Sequence, residues 1–66
     1  MEAFKVRLVN EQFELQEKIN KLKPFIESEN FKKVDEYQQK LLKEQVDVMD
    51  NYNQILIERL LLLGIN

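Results

Sequence analysis

The 66-residue sequence contains no cysteine, no histidine, no tryptophan and no threonine, and a single serine, Ser28. The missing cysteine and histidine exclude disulfides, thiolate catalysis and the usual zinc or di-metal ligand sets. A reducing compartment fits that composition, and cytoplasm is the expectation. With one glycine (Gly64) and one proline (Pro24), the chain has no material for a phosphate-cradling loop or a nucleophile elbow. No long apolar run is present either. The most apolar stretch, Ile55 to Ile65, is broken by Glu58 and Arg59 and is too short to span a bilayer. Met1-Glu2-Ala3 leads straight into charged amphipathic sequence, so no signal peptide is expected. Charge of one sign is lacking as well: ten bases against twelve acids leave a net charge of −2, with no basic face for duplex nucleic acid.

What remains is helical. Residues at 44% hydrophobic and 33% charged do not make a disordered chain. From about residue 2 to 28, Leu8, Gln12, Leu15, Ile19, Leu22 and Ile26 follow the 4-3 spacing of a buried helical stripe, widened by Phe4 and Phe25. Val6, Val9 and Phe13 add a second apolar set on another face. Pro24 falls inside this pattern and predicts a kink with the helix resuming for about a turn. Residues 29–35 form the connection, tucked down by Phe31 and Val34. Asp35 is placed as the N-cap of a second helix, with Gln38 at the capping-box position. That helix runs over about residues 36–63 and stops at Gly64. The expected fold is all-α, a single domain: an antiparallel two-helix hairpin.

The second helix carries two seams. Leu42, Val46, Met49, Asn53, Leu56, Leu60 and Leu63 make one. Leu41, Gln45, Val48, Tyr52, Ile55, Arg59 and Leu62 make the other, one position earlier. One seam pairs with the first helix. The other is left with an apolar face larger than a soluble monomer normally exposes. A chain this short also needs staples or partners to be stable. Assembly into a homo-oligomeric helical bundle follows.

Candidate chemistry is binding, not catalysis. Every seventh position of the free seam is polar: Gln45, Tyr52 and Arg59. Arginine offers a planar fork to phosphate, and tyrosine a ring on which a base stacks. The same residues also serve a plain interface, with Tyr52 filling the seam and Arg59 paired to a neighbour's carboxylate. Lys5 and Arg7 bring positive charge to the same end as Arg59, or are surface charge. Asn53 within the paired seam either fixes register or contacts a ligand. Glu14–Glu17 and Asp47–Asp50 read as solvated carboxylates, not metal ligands, and no cofactor is implied.

Phe25-Ile26-x-Ser28-x-x-Phe31, Gln38-Gln39-x-Leu41-Leu42-x-x-Gln45 and Met49-x-x-Tyr52-x-x-x-Leu56-x-x-Arg59-Leu60 resemble a family of small helical proteins of phages and prophages, crAss-like phages among them. That family is similar to the helical hairpin of phage sponge proteins acting against CBASS and Thoeris immunity. Such sponges assemble from hairpins, commonly as hexamers, and sequester cyclic oligonucleotides or cyclic ADP-ribose signals without cleaving them. The resemblance implies a non-enzymatic sponge in the host cytoplasm with pockets between protomers. Arg59, Lys5 and Arg7 would neutralise phosphate, Tyr52 would stack on a base, and Asn53 and Gln45 would read polar edges. The alternative of another class is a helical interaction protein that binds or blocks a host protein.

Overall fold

A computed structural model describes residues 2–65. Helix α1 spans Ala3–Ile26 and helix α2 spans Glu36–Leu62, joined by a 3-10 helix at Glu29–Lys33. The helices pack antiparallel: Gln12 and Gln16 of α1 bond Asn53 of α2, while Lys23, farther along α1, pairs with Asp50, earlier in α2. The all-α hairpin expected from the two stripes is what forms. No helix among the described residues is long and apolar enough to cross a membrane.

Burial follows the first seam. Leu8, Leu15 and Ile19 of α1 close against Leu56 and Leu60 of α2, with Ile19 at 2% and Leu56 at 1% exposure the deepest. Each such side chain contributes roughly 1.5–3 kcal/mol on burial. Val9, Met49 and Ile65 pack partly against this cluster. Val9 is thus drawn toward the core, whereas Val6 and Phe13, read with it as a second apolar set, stay exposed.

The connection is built by side chains that satisfy loose backbone groups. α1 passes through Pro24 and ends at Ile26, short of the expected residue 28. Proline has no N–H to give to the carbonyl of Asn20, one turn back, which weakens the helix just where it stops. Ser28 then turns extended (φ −85, ψ 162) and caps both neighbours. Its hydroxyl donates to the Phe25 carbonyl at 2.6 Å and accepts from the Phe31 N–H at 3.3 Å. Phe31 is buried, its ring perpendicular to that of Phe25 at 5.8 Å, with the Lys43 ammonium 5.8 Å from its centroid.

Asp35 caps α2 as expected, accepting from the Tyr37 and Gln38 N–H groups at 3.1 and 3.3 Å. The amide that ties α2 back to the connection is Gln39, donating to the Val34 carbonyl at 2.7 Å. At the other end, the Gly64 N–H reaches the Leu61 carbonyl at 3.0 Å and the Ile65 N–H reaches that of Leu60 at 2.8 Å. This pair of bonds is the Schellman arrangement, with Gly64 at φ 75 in the left-handed region and Ile65 folded onto the core.

The result is a rod of 45 × 16 × 15 Å. Its accessible surface is 5201 Å² for a mass of 8.0 kDa, against about 4,450 Å² for a typical folded monomer of that mass. Large apolar side chains contribute to the exposed surface. Val48, Ile55 and Leu62 of the second seam are 66%, 56% and 89% exposed, joined by Phe4, Phe13 and Leu61.

Candidate functional site

In an antiparallel pair, the residues one position before each seam residue fall on the same side of both helices, about 100° round from the contact. On α2 this side is the row Leu41, Gln45, Val48, Tyr52, Ile55, Arg59 and Leu62. On α1 it is Arg7, Glu11, Glu14, Lys18, Lys21 and Phe25. The free seam and five of the eight α1 charges therefore share one face of the hairpin.

That face holds most of the candidate residues. Gln45, Tyr52 and Arg59 are all exposed along it, with successive members about 10.5 Å apart along the axis at two helical turns. Gln45 donates from Nε2 to the Met49 sulfur at 3.8 Å, a weak contact. Arg7 and Arg59 lie at the open end, where the start of α1 runs beside the end of α2, on this same side. Lys5 is placed differently: it holds the seam position before Leu8, and its ammonium lies 4.0 Å from a Glu2 carboxylate oxygen.

Asn53 stands apart from the row. It is 7% exposed, in the seam between the helices. Its Oδ1 accepts from Gln12 Nε2 at 3.2 Å, and its Nδ2 donates to Gln16 Oε1 at 2.8 Å. Gln16 in turn donates to Asn20 at 3.0 Å. Both ends of the Asn53 amide are thus used within the hairpin. Among the described residues, no buried side-chain nitrogen or oxygen lacks a partner. Asp50, one of the carboxylates read as solvated, is in an inter-helix ion pair with Lys23 at 3.0 Å. No group of acidic residues able to hold a metal ion occurs among the described residues.

Lys18, Lys21 and Phe25 escape a reading made one helix at a time. Within α1 the lysines look like solvated charge and Phe25 like a widening of the buried stripe. The signal is the offset: each precedes a seam residue (Ile19, Leu22, Ile26), as Gln45 precedes Val46. Together with Leu22 and Met49 these residues line a groove of about 340 Å³ on the face that bears the polar row.

The arrangement supplies cations, a phenol ring, a phenyl ring and an amide on an apolar ground. Groups of this kind suit recognition of an anionic or aromatic ligand. No reviewed protein and no solved structure matches the chain. A family model does, over residues 2–62: this chain belongs to the Sequestin family.

Proposed function

We propose that the protein is a phage-encoded, non-enzymatic sponge that sequesters a cyclic nucleotide immune signal between protomers of a homo-oligomer in the host cytoplasm. The observation that carries this reading is the Gln45–Tyr52–Arg59 row set in an exposed apolar face of α2. An apolar face of this extent calls for a second copy, and polar residues repeated along it would then line cavities where copies meet. The family name, which speaks of sequestration, supports the same direction.

In this scheme the exposed seam residues Leu41, Val48, Ile55 and Leu62 hold copies together. Arg59 and Arg7, with Lys5 nearby at the open end, neutralise phosphate through charge-assisted hydrogen bonds. Tyr52 stacks on a base, and Gln45 reads a polar edge. Asn53 serves the ligand indirectly, by holding α2 in register so that its outer row is correctly placed. Action is by mass: the signal is held, not cleaved, so protein copy number must match that of the signal. Anti-CBASS and anti-Thoeris activity follow according to whether the ligand is a cyclic di- or trinucleotide or a cyclic ADP-ribose isomer.

The test is calorimetry of the natively sized protein against a panel of cyclic di- and trinucleotides and cyclic ADP-ribose isomers, with native mass spectrometry for copy number. Saturable binding with intact ligand recovered after denaturation is expected. A folded oligomer that binds none of them, but captures a defined host protein, would overturn the sponge in favour of an interaction module.

A further inference from the structure

We propose that the groove lined by Lys18, Lys21, Leu22, Phe25, Gln45 and Met49 is a nucleotide subsite, with phosphate between the two lysines and the flat apolar part over Phe25 and Met49. The inference rests on the reading above that the ligand is a nucleotide, and it assigns part of that ligand to a place and a set of residues.

Charge separates this groove from its larger neighbour. On the opposite side of the hairpin, a groove of about 380 Å³ is lined by Lys23, Ile26, Glu27, Lys43, Val46 and Asp47. Its cations are already answered: Glu27 and Asp47 line it, and Lys23 pairs with Asp50 at 3.0 Å. The groove at Lys18 and Lys21 has no carboxylate in its lining, and neither lysine is in an ion pair among the described residues. Glu14 and Glu17 stand four residues before Lys18 and Lys21 along α1, and neither lines the groove. Two ammonium groups on successive turns, i and i+3, fall on one flank of the helix. They suit a multiply charged oxyanion.

The apolar part is held in place by the connection. Phe25 is partly exposed, and its ring is set perpendicular to the buried ring of Phe31, while Ser28 bonds the Phe25 carbonyl. A ring anchored in this way offers stacking area with little conformational entropy left to lose. Across the groove, Met49 supplies a polarisable wall, and Gln45 places an amide at the rim. The volume falls within the usual range for small-molecule sites. Because Gln45 belongs to both the groove and the outer row, the subsite continues into Tyr52 and Arg59, and one face carries cations at both ends.

The experiment uses the full-length isotopically labelled protein in its native oligomer, titrated with 3′,3′-cyclic diadenylate and, separately, with inorganic pyrophosphate, while backbone resonances are followed. The expected result is perturbation centred on Lys18, Lys21, Phe25 and Gln45. Affinity for the cyclic dinucleotide should fall roughly tenfold or more in the K18Q/K21Q double variant and return in K18R/K21R. Native mass and melting temperature of the variants control for folding. If the cyclic dinucleotide binds and K18Q/K21Q matches the unmodified protein, the groove is not a subsite, although sequestration stands. If pyrophosphate perturbs the lysines while the cyclic dinucleotide does not, the groove is a simple anion site and not a nucleotide subsite. Silence from both probes overturns the subsite, and silence across the whole panel of cyclic di- and trinucleotides and cyclic ADP-ribose isomers overturns the sequestration reading as well.

Discussion

Asn53 offers the sharpest test of how this hairpin is held in register. It lies 7% exposed among apolar neighbours, accepting from Gln12 at 3.2 Å and donating to Gln16 at 2.8 Å. In Asn53→Ala both bonds vanish, at about 1 kcal/mol each, and a small void remains. Gln12 and Gln16 are half-exposed, so their freed amides turn to water and add no large desolvation cost. A loss of about 2 kcal/mol results, or roughly a 10 °C fall in melting temperature for a domain of this size. Asn53→Leu loses the same bonds but fills the seam with apolar volume, so its melting temperature should stay at or above that of the unmodified chain. Its cost is specificity: without the amide, α2 slides more freely along α1, and native mass spectrometry should show a broader set of assemblies. Circular dichroism melts at one fixed chain concentration provide the comparison, since assembly makes stability depend on concentration. If Asn53→Leu melts as low as Asn53→Ala, the register argument is refuted. If Asn53→Ala keeps full stability and instead loses ligand, Asn53 is a contact residue.

Other expectations follow from single contacts. Leu56→Ala, at the 1% exposed centre of the core, should cost about 2–5 kcal/mol in urea denaturation. Gly64→Ala meets nothing within 4 Å but is forced to φ 75, so the loss should be purely conformational, about 1 kcal/mol, with Gly64→Asn recovering part of it. Asp35→Ala removes the cap on the Tyr37 and Gln38 N–H groups and should lower stability by about 1 kcal/mol. Ile55→Glu puts charge in the middle of the exposed row. Sedimentation should then show smaller species, and an unchanged mass would mean that the row faces water in the working protein.

The stripe of α1, the two seams of α2 and the capping residue Asp35 were legible from spacing alone, because a buried helical face must repeat every three or four residues whatever it packs against. Ser28 and Gln39 were not. Their roles depend on where the connection folds back, and Ser28 serves two elements at once, bonding the Phe25 carbonyl and the Phe31 N–H. Helix α1 ends two residues before its sequence pattern predicts for a related reason: the apolar spacing continues past Pro24, while the backbone beyond it already belongs to the turn at Ser28. Of the candidate site, the Gln45–Tyr52–Arg59 row could be read on one helix. Lys18 and Lys21 could not be distinguished from any other solvated lysine until α2 lay beside α1.

Helical periodicity, missing chemistry and surplus apolar surface are properties of the linear order of side chains. They determined by themselves that this protein is a hairpin and that an apolar face is left over. Which cations are free and which are spent is a matter of distance across the helix pair. Lys23 meets Asp50 at 3.0 Å, while Lys18 and Lys21, in no ion pair among the described residues, border a groove without a carboxylate in its lining, and that distinction came into being only when the two helices docked.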